Sequence, residues 1–249
     1  PTVQIAKDFS DQWMTIDANN DGEIQVSEAQ AVKILSISEF LIFNVTGLNS
    51  FSNVEDLRFS TSLISNLDIS ALTNLRILTC FNLPILNTLT ATNMPNLTEI
   101  SCFSMTNLNT LNISNLNSLA KLNCLSTSLD TLNLSGFPNL AEIIYINNGT
   151  TAMSLTGLTN LTKLNCSGNQ LTTLTINGLD NLTDLDCSSN QLTNLNGLAN
   201  LTKLNCSYNK LTSLNVNSIT TLNELNCSAN ELTNLSINGL SNLTKLICN

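Results

Sequence analysis

Five cysteines, Cys166, Cys187, Cys206, Cys227 and Cys248, recur along the chain at intervals of 19 to 21, and the stretches between them recur with them. Residues 161–181 read LTKLNCSGNQLTTLTINGLDN, and the next copies run LTDLDCSSNQLTNLNGLAN, LTKLNCSYNKLTSLNVNSITT and LNELNCSANELTNLSINGLSN. A fixed period of this size implies a solenoid, because one unit is too short to bury its own apolar face and must stack on its neighbours. The same frame extends backwards: Ile37, Phe59, Cys80, Cys102, Cys124 and Tyr145 fall in the cysteine column at spacings of 21 or 22. This makes eleven coils over 34–249, with a period of 19 to 22 and the last one cut short.

Within each coil the apolar residues come at strand spacing, as in Leu161-Leu164-Cys166 and again in Leu171-Leu174-Ile176. Abundant Asn, Ser, Thr and β-branched residues argue against helix, so both long sides of each coil are expected to be extended. Written as L-x-x-L-x-C-x-x-N-x-L-x-x-L-x-I-x-x-L-x-x, the unit resembles the leucine-rich repeat, with Cys in the second inward slot of the strand. The resemblance covers nearly the whole chain. It implies a mostly β solenoid of short parallel strands with little helix, a fold whose concave face often binds other macromolecules.

Eight cysteines would suggest disulfides if the chain is secreted. All eight occupy one inward column, however, where Cys serves as a small apolar side chain and parallel neighbours are poorly aimed for an S–S bond. Free, buried thiols are the expectation. Nine Lys plus Arg against eighteen Asp plus Glu give a net charge of −9 with no basic cluster, which disfavours nucleic acid and anionic membrane as partners. Apolar runs are too short for a transmembrane segment. A start on Pro1 and an end inside a repeat at Cys248-Asn249 suggest a mature or trimmed chain, and a monomer is expected.

The segment 1–33 stands outside the repeat. Within it 17–28, DANNDGEIQVSE, matches an EF-hand calcium loop: oxygen side chains at Asp17, Asn19 and Asp21, Gly22 for the sharp turn, apolar Ile24, and Glu28 in the twelfth place. Asp17, Asn19 and Asp21 would each give one oxygen, Glu23 its backbone carbonyl, Gln25 a bridging water, and Glu28 two carboxylate oxygens. Upstream, Ile5, Phe9, Trp13 and Ile16 recur at every third or fourth place, which predicts an incoming amphipathic helix; a short outgoing helix precedes a first strand at 33–38. Six acids against one Lys between Pro1 and Glu28 concentrate repulsion that a cation would relieve. One EF-hand-like helical cap over the open end of the core is therefore expected, a structural staple rather than a sensor. Together, cap and repeats resemble the internalin-like bacterial surface proteins, whose repeats follow a helical cap similar to a truncated EF-hand; here the ligand set is complete.

Two outward columns of the strand carry information. One reads Asp56, Ile77, Glu99, Lys121, Glu142, Lys163, Asp184, Lys203, Glu224 and Lys245, alternating in sign from Glu99 onward, and serves register more than stability. The other follows the cysteine slot: Ser38, Ser60, Phe81, Phe103, Leu125, Ile146, then Ser167, Ser188, Ser207 and Ser228. Four consecutive coils thus replace Ser with a large apolar residue, and Ile77, Ile144 and Met105 add to the same region. The candidate ligand surface is Ile77, Phe81, Phe103, Leu125, Ile144 and Ile146. An alternative stands beside it. These coils hold Leu83, Met105 and Thr127 where others hold Asn148, Asn169, Asn190, Asn209 and Asn230, so Phe81 or Phe103 could turn inward to fill the space. The Asn residues themselves are expected to bond backbone groups in the turn of their own and the next coil.

Histidine is absent, which removes imidazole acid–base chemistry and the nucleophile sets that depend on it. Asp184 and Asp186 share one strand face, but Asp184 belongs to the charge column and the surface is open, so they are not read as a catalytic pair. Carbohydrate binding would call for exposed aromatic platforms, and beyond the phenylalanines only Tyr208 and Trp13 offer rings. The sequence therefore points to a non-catalytic module, secreted or on a bacterial surface, which binds a protein or surface glycoconjugate and carries one calcium ion. The alternative is a spacer or adhesin stalk whose activity lies in other domains.

Overall fold

The computed structural model describes the chain except for residues 1–4, 8–12, 22, 39–41 and 218, and for 5–7 and 13–15 it describes the backbone alone. Contacts divide the chain into two compact units, Pro1–Leu119 with Ser126–Ser128, and Ala120–Leu125 with Leu129–Asn249.

The first unit begins with β1 (Ile5–Lys7) and β2 (Trp13–Thr15), followed by α1 (Val26–Ala31), β3 (Ile34–Ile37) and a 3-10 turn at Leu48–Ser50. Coil strands β4 (Asp56–Ser60), β6 (Ile77–Phe81) and β8 (Glu99–Met105) alternate with back strands β5 (Asn66–Asp68), β7 (Thr88–Thr92) and β9 (Thr110–Ser114). Pairing is parallel with no slip in the column frame: Ile37 lies opposite Phe59, Phe59 opposite Cys80, and Cys80 opposite Cys102. Leu57, Leu78, Cys80, Ile100 and Cys102 are fully buried, as the alternation requires.

The second unit takes the same form through β10 (Lys121–Thr127), β11 (Thr131–Asn133), β12 (Glu142–Ile146), β13 (Ala152–Ser154), β14 (Lys163–Asn165), β15 (Asp184–Asp186), β16 (Lys203–Asn205), β17 (Ser213–Asn215), β18 (Glu224–Asn226), β19 (Asn234–Ser236) and β20 (Lys245–Ile247). Its front sheet runs β10-β12-β14-β15-β16-β18-β20. The back side is less regular than the sequence suggests, since the stretch 171–176 forms no strand. The coil at 182–200 is shorter than its neighbours, and beside it a notch of about 230 Å³ opens between Ile176 and Asn200.

Asn residues close the corners of this unit. Asn190 donates from Nδ2 to the carbonyls of Cys187 (3.1 Å) and Cys166 (2.9 Å), and its Oδ1 accepts from Leu171 N–H (3.0 Å). Asn209 repeats this with Cys206, Cys187 and Leu192, and Asn230 with Cys227, Cys206 and Leu211. The bridged neighbour is the preceding coil, not the next one, because the side chain leans back along the solenoid. Where Asn is missing, Leu83, Met105 and Thr127 are buried in its slot, and β8 and β10 lengthen to seven residues each. Tyr145 is the large residue of the cysteine column: its hydroxyl donates to the Leu129 carbonyl (2.8 Å) and accepts from Thr150 Oγ1 (2.9 Å). Burial pushes its pKa up.

The incoming side of the cap differs from expectation. β1 and β2 pair antiparallel, with Ile5 opposite Thr15 and Lys7 opposite Trp13, and β1 adds antiparallel to β3. The sheet edge at β3 needs partners for its backbone N–H and C=O groups, which a strand supplies and a helix cannot. Of the predicted helix, Phe9 and the side chains of Ile5 and Trp13 lie outside the described residues. Among the described residues of the cap, helix is limited to α1, whose Ala29 is buried, as are Ile16, Val32 and Leu48.

Candidate binding surface

The 17–28 loop places its oxygen side chains in a run of turns. Asp21 N–H donates to Asp17 Oδ1 (3.1 Å) and Asn19 Oδ1 (2.9 Å), and Glu23 N–H donates to Asp21 Oδ1 (2.9 Å). Glu28, in the first turn of α1, reaches back across the loop: Oε1 accepts from Ala18 (2.8 Å) and Asn19 (3.2 Å), and Oε2 from Gln25 N–H (3.0 Å). The Glu23 N–H, then the Gln25 and Asn19 amides, hold the Asp21 carboxyl below its usual pKa. Hard oxygens in this order suit a calcium ion. Among the described residues no three His, Cys, Asp or Glu groups converge as a metal cluster, and Gly22 lies outside them.

The expected ligand residues divide between the units. In the first, β6 and β8 set Phe81 directly opposite Phe103. Phe81 is 50% exposed, Ile77 is 37% exposed and Phe103 is half-buried, so the rings point outward. Met105, grouped with them on sequence grounds, is instead core, since it fills the Asn slot. Arg58 clasps Asp56 with two hydrogen bonds (2.6 and 3.1 Å). In the second unit Leu125 lies opposite Ile146, and these two and Ile144 are half-buried.

The rest of the second unit's concave face is polar. A groove of about 390 Å³ runs from Glu142 to Ile247 across β12, β14, β15, β16, β18 and β20. Its first column holds the alternating charges, with Lys203–Glu224 at 3.1 Å and Lys245–Glu224 and Lys121–Glu142 at 3.6 Å. Lys203 above all holds the Glu224 carboxyl below its ordinary value. In the second column each Asn or Asp Oδ1 accepts from the backbone N–H and the hydroxyl of the Ser two places on: Asn165 from Ser167, Asp186 from Ser188, Asn205 from Ser207, Asn226 from Ser228. Sequence reading treated the Ser column as plain surface and missed this clasp, though the recurring N/D-C-S triplet is its signature.

The thiols are free, and all are buried except Cys248. Burial pushes Cys166 and Cys206 up to about 12 and raises Cys80, Cys187 and Cys227 as well, so these five thiols are chemically quiet.

A family model described as Leucine Rich repeats (2 copies) matches residues 159–200. No curated protein matches the chain. Among solved structures, the chain is similar to the functional domain of InlJ from Listeria monocytogenes, described as including a cysteine ladder, at 29% identity and a TM-score of 0.72, covering 90% of this chain and 50% of that one. A leucine-rich repeat protein of Leptospira interrogans matches at 22% identity and a TM-score of 0.63 (85% and 70% coverage), and internalin C2 of L. monocytogenes at 20% and 0.53 (96% and 86%). This chain spans about half the length of the first of these. Its repeats are leucine-rich repeats, and its structural neighbours include internalin-like proteins.

Proposed function

We propose that this chain is a non-catalytic binding module, secreted or displayed on a bacterial surface, which contacts a protein partner through the outward apolar residues of its concave strands. The observation that carries the reading is the pair Phe81 and Phe103, side by side on β6 and β8 with Phe81 half exposed, in a column that is Ser in most other coils. Burying such a pair against a partner removes apolar area from water at roughly 25 cal/mol per Å². The test is capture of proteins from host-surface extracts by wild type beside Phe81→Ser. Ser60 stands in the same column one coil earlier, so the variant keeps its fold. Loss of a captured protein at unchanged melting temperature supports the reading. Equal capture by both, or none by either, returns the chain to the spacer role.

One calcium ion held by Asp17, Asn19, Asp21, the Glu23 carbonyl and Glu28 belongs to the same proposal, and is supported by the loop turns and by Glu28 folding back over them. Its role is to staple the cap to the first coil. The lack of His in the sequence supports a non-catalytic role. Among the described residues no helix is long and apolar enough to cross a membrane.

A further inference from the structure

Tyr208 sits where the fold does not call for a ring. It occupies the corner that follows the Ser column, in the left-handed region at φ 54°, where the other coils of this unit place Asn147, Gly168, Ser189 and Ala229. A bulky side chain is disfavoured in that region, and small or Asx residues are the rule. Yet Tyr208 is 66% exposed and its hydroxyl makes no hydrogen bond among the described residues. Strain without packing in return points to a contact outside the fold.

What lies beside it gives the chemistry. Tyr208 stands in the turn after β16, three places beyond Asn205, which lines the polar groove. Asn165 and Asn226 spend Oδ1 on their serines and leave Nδ2 free of any partner among the described residues, and Asn205 Nδ2 donates to Asp186 Oδ2 (3.1 Å). The groove thus offers free amide donors at Asn165 and Asn226, with Lys163, Lys203 and Lys245 nearly cancelling its four carboxylates. Near-neutral charge on a chain of net −9 disfavours an acidic ligand. An extended peptide laid across the strands repeats its side chains every ~6.8 Å, out of step with coils ~4.8 Å apart. A β-linked hexose chain advances about one ring per coil, and its rings have hydroxyl edges and an apolar face.

We propose that this groove binds a neutral β-linked polysaccharide lying across the strands, with the Tyr208 ring stacked on one pyranose and the Asn amides bonded to sugar hydroxyls. The contact is independent of the Phe81 surface, so either proposal can fail alone. Cellohexaose and chitohexaose are the probes, followed by titration calorimetry and saturation-transfer NMR, with hyaluronan hexasaccharide as the acidic comparison. At least one neutral hexasaccharide is expected to bind saturably. Tyr208→Ser, which copies Ser189, should weaken it by roughly tenfold at unchanged melting temperature. Tyr208→Phe should keep the binding, and Phe81→Ser should leave it untouched. No saturable binding of either neutral sugar, equal binding by Tyr208→Ser, or tighter binding of the acidic sugar would overturn the proposal.

Discussion

At the residue scale, stability rests on side chains that do two jobs at once. Asn190 satisfies two carbonyls and one N–H at buried corners, so Asn190→Ala strands backbone groups that water cannot reach. It should cost about 2–4 kcal/mol in urea unfolding, against less than about 1 kcal/mol for exposed Phe81→Ser. The thiols define a second test. The folded pKa values of Cys80, Cys166, Cys187, Cys206 and Cys227 lie above the ordinary 9.0, reaching about 12 for Cys166 and Cys206, so the native chain keeps protons that the unfolded chain loses first. The stability they contribute is complete below pH 9 and is lost as pH rises through about 12, by ~1.4 kcal/mol per thiol per pH unit. Equilibrium unfolding between these limits should fall less steeply for Cys166→Ala than for wild type. At neutral pH only Cys248 should react with a thiol reagent in the native protein.

At the scale of elements, the cap and the first coils share one problem, the unpaired edge of β3. The hairpin of β1 and β2 meets the backbone need, while α1 packs on the 3-10 turn with Ala29, Val32 and Leu48 buried. A calcium ion in the 17–28 loop would tie the hairpin to α1, since Asp17 follows β2 closely and Glu28 belongs to α1. Ion at a hundredfold excess over its dissociation constant adds about 2.7 kcal/mol to folding. Chelation should therefore lower the melting temperature and shift the fluorescence of Trp13, the single tryptophan, and Glu28→Gln should remove both responses. A melt and spectrum indifferent to chelator would leave the loop a plain acidic turn.

For the whole molecule, charge acts more through its sum than through its pairs. The Lys203–Glu224, Lys245–Glu224 and Lys121–Glu142 bridges are exposed and worth ~0.2–1 kcal/mol each. A net charge of −9, with six of the acids crowded between Pro1 and Glu28, works against compaction. Raising salt from low to about 1 M in the presence of calcium screens both, and the repulsion is the larger. The melting temperature should hold or rise by calorimetry; a marked fall would mean that the ladder stabilises the fold rather than setting its register.

The register of the paired coil strands was legible in the sequence. A side chain that must point inward at every second place and recur once per coil has few apolar options, and the strand pairs fall in that register. Buried free thiols followed from the same geometry, except at Cys248 in the last coil, which is exposed. Tertiary structure decided what local pattern could not. Apolar residues at every third or fourth place from Ile5 to Ile16 suit a helix, but the open edge of β3 rewards a strand, because only a strand can complete its hydrogen bonds. Phe81 and Phe103 could have turned either way. They point out because Leu83 and Met105 already fill the corner slot, and a close-packed core has no volume left for a ring.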